Sequence, residues 1–322
     1  MNRALLSKFV RESLLLWIAL AVGLFAFAWC RVWVVGEVDT ARFKQILELI
    51  PKDWRRFATV DFDWITSYLG RTSLTLDEPM IMMLIGGWGI VRGSDVVSGE
   101  INRGTMEMVL AQPVSRTVVF LQHFWLSVVG LAMLSLIVWI GMSIGIHTTD
   151  IEESTYPELR IPLVDYSIPL TMLGPKTETI EMIDKVKPIQ FLPGIANMFC
   201  FGFFIICYCM MFSSWDRFRW RTLGIVVGVY FIGGLIKVAS MATEKLAWMK
   251  FFTFYTMYEP ALCIETADNH PPQLWNWLRY SADDQLVGLG PLGMNLLLIV
   301  LGLICIWVGL RAFRNRDLPA PL

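Results

Sequence analysis

Charge is scarce in this sequence, and the charge that is present avoids the long apolar stretches. Charged residues make up 17% of the 322 positions, whereas a soluble domain usually carries about 25%. Hydrophobic residues make up 55%, and the mean hydropathy is +0.55. They form runs of roughly 20 residues, which is the length that crosses a bilayer core. The sequence therefore excludes an ordinary soluble domain and predicts an integral membrane protein.

Motifs of reactive chemistry are also missing. The histidines His123, His147 and His270 lie far apart, and the sequence contains no H-E-x-x-H zinc pair and no G-x-S-x-G serine motif. It has no G-x-x-x-x-G-K-[ST] loop either, so this chain does not bind ATP by that route. We therefore assign no catalytic, metal-ligating or cofactor-binding residue. The net charge of −1 indicates no particular partner, and none made of nucleic acid is expected.

The six cysteines do not form the paired outer framework of a disulfide-rich protein, because five of them lie in or beside apolar runs. Cys207 and Cys209 have a spacing that can suit a metal. The better interpretation is two small apolar residues on a membrane helix.

Six apolar stretches are predicted to cross the membrane as helices, because an isolated strand leaves its backbone groups unsatisfied in lipid. We number them spans 1 to 6, at about Leu14–Val34, Pro79–Val97, Thr117–Ile146, Pro193–Ser213, Thr222–Met241 and Val287–Leu310. The predicted fold is an all-α integral membrane protein with helical outer insertions, one transmembrane domain over residues 1–322.

The basic residues favour a cytoplasmic position for both termini. Segments 1–13, 92–116, 214–221 and 311–322, all on that side, carry three Lys or Arg residues each. Ala26–Ala28 has the A-x-A pattern of a signal-peptide cleavage site. The apolar run continues to Val35 and the bulky Trp29 follows the site, so we expect an uncleaved first span.

The two ends of the membrane domain leave alternatives open. Residues 1–13 fit an interfacial helix that precedes span 1, or an ordinary basic flank. The aromatic loop 242–286 fits a helical insertion that dips part-way into the outer leaflet, or an aromatic belt. Short amphipathic helices are expected over Ala41–Phe57 and in the "WITSYL" stretch that follows. The proline-rich loop Ile146–Gln190 is expected to be irregular, with one or two helical turns in "TETIEMIDKV".

Four polar residues lie near the predicted span ends. Arg92 and Asp95 can pair at i and i+3, or can simply mark the inner edge of span 2. Lys237 is expected to reach the headgroups at the outer end of span 5. His123 is either a functional group within the membrane or a residue that bonds a backbone group or water at the inner interface.

The polar insert between spans 2 and 3, residues 98–116, has the signals of a short helix. Thr105 is a plausible N-cap for a helix that extends to Gln112, and Glu107 lies in the first turn, where the helix dipole favours negative charge. Pro113 ends the helix. The predicted apolar face consists of Met106, Val109, Leu110 and Pro113. Such a helix can lie on lipid or insert into a groove on a partner.

This insert, "SGEINRGTMEMVLAQPVSR", resembles the motif of ABC-2-type permeases, the membrane subunits of one class of ABC exporters. In that family an acidic and a basic residue precede Gly-Thr, and a short helix with a glutamate leads to a Pro-Val-Ser-Arg ending after the second span. The matching residues are Glu100, Arg103, Gly104, Thr105, Glu107, Leu110, Ala111, Pro113, Val114, Ser115 and Arg116. Six spans with both termini inside extend the resemblance over most of the chain.

The resemblance implies a mechanism and a location. Gly104–Pro113 would be a coupling helix in a groove of a separate ATPase subunit, which holds ATP and Mg²⁺. The residues implied in that coupling are Glu100, Arg103, Gly104, Thr105, Met106, Glu107, Val109, Leu110, Pro113, Ser115 and Arg116. A second permease copy or a paralogue would complete the path through the plasma (inner) membrane, in contact with lipid. This chain would not be an enzyme.

Two other classes compete with a permease. A membrane enzyme or processing factor would use the outer acidic residues with His147 or His270, although no spacing among them indicates a site. A membrane scaffold would use the polar insert to recruit some other cytoplasmic protein.

Overall fold

Six long apolar helices dominate the computed structural model. It describes residues 3–316 except 39, 41–42, 45–46, 48, 50–58, 112, 156–157, 162–165, 170–175 and 281–285. Within these residues, the helices long and apolar enough to cross a membrane are Leu6–Glu37, Tyr68–Asn102, Arg116–Thr148, Pro188–Trp215, Arg219–Ala242 and Pro291–Asn315. The prediction of six long apolar helices is confirmed, and most of these helices extend beyond the predicted bounds.

The elements follow one another in this order. The first half contains α1 (Arg3–Glu37), α2 (Phe62–Thr66), α3 (Tyr68–Ser73), a 3₁₀ turn (Leu74–Asp77), α4 (Pro79–Ser94), a π-helical turn (Asp95–Gly99), α5 (Glu100–Asn102), α6 (Met106–Leu110) and α7 (Arg116–Thr148). The second half contains β1 (Asp150–Thr155), β2 (Glu158–Ile161), β3 (Tyr166–Pro169), β4 (Lys176–Glu181), 3₁₀ turns (Met182–Asp184, Pro188–Phe191), α8 (Leu192–Trp215), α9 (Arg219–Ala242), 3₁₀ segments (Glu244–Phe252, Phe254–Met257), α10 (Pro260–Asn269), a 3₁₀ turn (Pro271–Trp275), β5 (Leu278–Tyr280), β6 (Leu286–Leu289) and α11 (Pro291–Asn315).

Helix α8 lies at the centre of the bundle, against α4, α7 and α11, while α1 packs along α7. Small residues on α4 let the backbones of α4 and α8 approach closely. A Cβ atom added at Gly93 would lie 2.6 Å from the Cβ of Cys209, and the Cys209 thiol donates to the carbonyl of Ile90 at 3.2 Å. Helices α1 and α9, in contrast, leave most of their apolar surface exposed.

Both ends of the described part of the chain lie at one end of the bundle. Lys8 of α1 reaches Glu100, and Arg116 at the start of α7 donates to the carbonyl of Arg316 just after α11. Arg316 in turn donates to the carbonyl of Ser214 at the end of α8. We call this the terminal end of the bundle and the opposite one the loop end. This shared position agrees with the predicted topology. The assignment of the terminal end to the cytoplasm stays a prediction.

The N-terminal residues do not form a separate interfacial helix that turns into the membrane. Residues 3–13 are the first turns of α1, which runs without a break to Glu37. The buried ring of Phe9 and the Ser13 hydroxyl, which donates to the Phe9 carbonyl at 2.9 Å, explain this continuity. These side chains pack into the bundle, so the helix has no reason to bend away from it.

The loop after span 3 differs from its prediction because it contains strands. The first half of "TETIEMIDKV", in which one or two helical turns were expected, belongs to β4 (Lys176–Glu181), which pairs antiparallel with β1, so that Ile151 stands opposite Ile180. Only Met182–Asp184 forms a turn of 3₁₀ helix. β2 and β3 form a second antiparallel pair. In the loop after span 1, α2 and α3 confirm the helical prediction for "WITSYL", whereas most of Ala41–Phe57 lies outside the described residues.

The aromatic insertion between spans 5 and 6 is helical, as predicted, with a short β5–β6 hairpin. It is anchored on the bundle from one side. Asn197 of α8 donates to the carbonyl of Met257 at 2.9 Å, and Tyr258 is 1% exposed. Phe251 and Phe252 stay 79% and 74% exposed. The insertion therefore has a buried aromatic side and an exposed aromatic side, and its depth in a membrane stays a prediction.

Candidate functional site at the terminal end

Span 2 ends in a π-helical turn, Asp95–Gly99, that buried hydroxyl groups stabilise. A π turn interrupts the regular hydrogen-bond ladder, so its backbone amides need other partners. The Oγ of Ser213 on α8 accepts from the amides of Val97 at 3.2 Å and Ser98 at 3.0 Å. The Ser98 hydroxyl lies 3.1 Å from that of Ser213 and accepts from Thr222 of α9 at 3.2 Å. Three spans thus hold this turn together.

A buried carboxylate, Asp95, collects three guanidinium groups beside the turn. Its oxygens lie 2.5 Å from Arg103, 3.4 Å from Arg219 and 3.6 Å from Arg92. The predicted i,i+3 pairing of Arg92 with Asp95 is therefore confirmed. Because charges taken out of water need close partners, this cluster fixes the polar insert to span 2 and to the start of span 5.

A second carboxylate, Glu100, is wholly buried and connects the insert to α1. It accepts from Lys8 at 3.1 Å, from Arg103 at 2.9 Å and from the hydroxyl of Thr105. Burial alone would lower the pKa of Arg103, but its bonds to Asp95 and Glu100 outweigh that effect and raise the pKa. The residues Glu100, Arg103 and Thr105, which the resemblance implies in partner coupling, are therefore engaged inside this chain.

Gly104 explains the Gly-Thr step of the motif. Its φ is +70°, a left-handed conformation that L-residues other than glycine rarely adopt. The amide of Thr105 bonds the carbonyl of Glu100 at 3.0 Å and the amide of Gly104 bonds that of Ile101 at 3.0 Å, which is the Schellman arrangement that ends a helix. Thr105 holds the predicted N-cap position of α6, but its hydroxyl does not cap that helix.

The apolar face predicted for the short helix packs mainly against the chain itself. Helix α6 covers Met106–Leu110, and Gln112, the predicted last residue, lies outside the described residues. Met106 and Val109 are 2% and 4% exposed, and Val109 packs with Phe9 of α1 and Val119 of α7.

What α6 presents outward is a different face. Leu110 is half-buried and Pro113 is exposed. Met108 is 71% exposed, and Gly104, Glu107 and Ala111 are exposed with it. These four residues, Gly104, Glu107, Met108 and Ala111, form what we call the outward face of the insert.

The far end of the insert is fixed to α7 and α11. Ser115 caps α7, and its hydroxyl accepts from the amide of Val118 at 3.3 Å. Arg116 donates to the carbonyls of Phe313 at 3.3 Å and Arg316 at 2.6 Å, at the end of α11, where the helix itself supplies no donors. Ser115 and Arg116, also implied in coupling, thus position the insert from its C-terminal side.

His123 lies directly behind this site. It is fully buried, with its ring centroid 3.7 Å from that of Phe9. Within the described part of the chain neither ring nitrogen has a hydrogen-bond partner, so the expected bond to a backbone group is not formed. The histidine packs α1 against α7.

The other residues singled out from the sequence lie elsewhere. Lys237 does not reach outward freely, because it donates to the carbonyl of Tyr258 at 2.9 Å and lies 3.8 Å from Glu259. Cys207 and Cys209 are buried and unpaired. In the residues that the structure describes, no cluster of three or more His, Cys, Asp or Glu side chains suits a metal ion.

Sequence reasoning missed four residues that build the site: Lys8, Ser213, Arg219 and Thr222. Three of them flank or belong to the short segment "SSWDRFRWRT" between spans 4 and 5, where polar residues begin abruptly after apolar ones. That signal indicated an inner loop but gave no partner.

The chain matches no family model, and it matches no curated protein either.

Proposed function

We propose that this chain is the permease subunit of an ATP-binding-cassette exporter of the plasma (inner) membrane, driven by a separate ATPase subunit. The observation that carries the proposal is the insert 98–116, in which the motif residues form a short bounded helix fixed at both ends. ATP and Mg²⁺ belong to the partner in this proposal. A second permease copy or a paralogue completes the path, and the exposed apolar surfaces of α1 and α9 leave room for it.

The arrangement of the insert supports its use as a lever. The outward face meets no other part of the described chain closely enough to be covered, while the opposite side is bonded to α1, α7 and α9. A load on Met108 is therefore passed to several spans. The motif residues divide into two roles: Glu100, Arg103 and Arg116 stiffen the insert, and the outward face contacts the ATPase.

Site-specific crosslinking tests this division. The tagged full chain, with a benzophenone amino acid at Met108, is irradiated in native membranes and purified. We expect a crosslinked polypeptide that contains a phosphate-binding loop and hydrolyses ATP. The same amino acid at Met106 is the matched control, because Met106 is two residues away and 2% exposed.

Two results would contradict the proposal. The first is an absence of any ATPase from both the crosslinked and the copurified material. The second is an equal ATPase crosslink from Met106 and Met108, which would mean that the insert does not present the outward face to its partner.

A further inference from the structure

Two adjoining cavities lie at the loop end of the bundle, between α4, α9 and the aromatic insertion. The larger has a volume of about 710 Å³, and its lining includes Met82, Tyr230, Gly234 and Tyr255. The smaller, of about 280 Å³, is lined by polar groups that include Ser240, Lys250, Thr256 and Glu259. Lys237 and Met241 line both cavities, so they meet at this point.

The larger cavity is apolar and opens between two spans. Its volume is in the range of small-molecule sites, which are lined mainly by apolar side chains with a few polar groups. Met83 of α4 and Phe231 and Leu235 of α9 stand at its edge and are 55%, 56% and 69% exposed. Exposed apolar side chains on spans face lipid in a membrane, so the opening is lateral.

Two basic and two acidic residues line the junction, and not all of them form ion pairs with one another. They are Lys237, Lys250, Asp77 and Glu259. Lys237 lies 3.8 Å from Glu259. In the described structure Lys250 has no carboxylate within ion-pair distance, and Asp77 Oδ2 is buried with no hydrogen-bond partner. Buried polar groups without partners are costly, so one more donor and one more acceptor fit here.

We infer that the paired cavities bind a membrane amphiphile whose headgroup carries one phosphate and one ammonium group. Its apolar chain lies in the larger cavity. Its phosphate lies near Lys250, and its ammonium group lies near Asp77 and Glu259. An anionic headgroup would match Lys250 but leave Asp77 without a further partner, and a soluble zwitterion would leave the apolar cavity empty. This inference does not depend on an ATPase partner.

Photolabelling of the purified full chain tests the occupant. The probe is a phosphatidylethanolamine analogue with a diazirine on its acyl chain, added to protein in a maltoside detergent. We expect the label on residues 79–83 or 230–241. Unlabelled phosphatidylethanolamine should compete about tenfold better than phosphatidylglycerol or an alkylammonium amphiphile, because each of these lacks one charge. Equal competition by all three would overturn the assignment of the headgroup.

Two glycines of α9 allow a test of the larger cavity with one variant that fills it and one control variant. A Cβ atom at Gly234 meets only the Tyr255 ring, at 3.8 Å or more, so Gly234→Phe starts without a clash at Cβ and places its ring in the cavity. Gly224→Phe adds the same ring on the same helix, where no atom lies within 4 Å. We expect Gly234→Phe to reduce labelling about tenfold and Gly224→Phe to leave it unchanged. Equal labelling of the two variants would overturn the inference.

A third variant tests the smaller, polar cavity, which Lys250 lines. Lys250→Gln should weaken phosphatidylethanolamine labelling and remove its advantage over the alkylammonium competitor, because the position that receives the phosphate is then uncharged. An unchanged order of competitors would contradict the role of Lys250. The competition series on the unmodified chain decides the proposal even if a variant fails to fold.

Discussion

Replacing Glu100 by glutamine should destabilise the terminal end of the bundle without changing its shape. Glutamine has the size of glutamate but no charge, so Lys8 and Arg103 lose their shared anion. The Glu100 side chain is 0% exposed, and three donors converge on it. The substitution therefore removes charge from the centre of a buried cluster.

The expected cost follows from the exposure of the two cations. Breaking a fully buried ion pair costs about 3–5 kcal/mol. Lys8 and Arg103 keep 32% and 36% of their side-chain surface exposed, so water compensates part of the loss. We expect Glu100→Gln to lower the free energy of unfolding by about 2 kcal/mol. Glu107→Gln, on the exposed side of the same insert, should change it by less than about 0.5 kcal/mol.

Unfolding titrations in mixed micelles measure both variants on the same scale. A double-mutant cycle with Lys8→Met isolates the pair, and its coupling energy should be about 1 kcal/mol. Equal stabilities for Glu100→Gln and Glu107→Gln would refute the reasoning. Strict additivity with Lys8→Met would refute the connection to α1 in particular.

The remaining predictions concern single positions. Ser213→Ala removes the acceptor of two amides in the π turn and should lower the free energy of unfolding by about 2 kcal/mol. The hydroxyl of Ser214 bonds its own helix, so Ser214→Ala should lower it by less than about 0.5 kcal/mol in the same titration. Equal costs for the two variants would contradict the hydroxyl network. Gly93→Ala places its Cβ 2.6 Å from α8 and should lower the free energy of unfolding by about 1–3 kcal/mol. Gly87→Ala, whose Cβ has no atom within 4 Å, should leave the melting temperature unchanged. A larger loss of stability for Gly87→Ala than for Gly93→Ala would contradict the packing of α4. Burial raises the pKa of Glu265 above 4.5, so its protonated form stabilises the fold fully at low pH and this contribution is lost as the pH rises through the raised pKa. As the pH rises from about 4.5 to about 8, the melting temperature of Glu265→Gln should therefore increase relative to that of the unmodified chain. A difference that does not change with pH would argue against a buried carboxyl group.

The spans were predictable because they depend on local composition alone. Runs of apolar residues predict where long helices form, and the six helices confirm this. Their ends were less predictable. Span 2 was expected to end at Val97, but it continues to Asn102 through a π turn, and the hydroxyl that holds the turn lies 115 residues away in the sequence. No local pattern specifies such a partner.

The strands after span 3 were missed for a related reason. β1 and β4 are separated by 20 residues, so no tight-turn signal marks them as a pair. The alternation of threonine in "KTETIE" is a strand signal, but charged residues on the other positions also fit an exposed helical turn.

Within the insert, the helix pattern identified an apolar face but did not show that the chain itself covers most of it. The i, i+3, i+4 spacing of Met106, Val109 and Leu110 identified an apolar face, and an apolar face is equally suited to a partner or to the chain itself. Phe9 and Val119 cover Val109, and both are distant in sequence. Only the three-dimensional arrangement shows that the outward face contains Met108.

The contacts of the insert also limit how it can move. Glu100 binds it to α1, Asp95 to α9 and Arg116 to α11. Separating the insert from the first two would break ion pairs whose cations are about one-third exposed, at about 2 kcal/mol each, whereas exchanging a neutral hydroxyl bond in the π turn costs about 1 kcal/mol. We therefore expect a load on the outward face to move the terminal ends of spans 1, 3 and 5 together with the insert, with the bend in span 2 located at Asp95–Gly99.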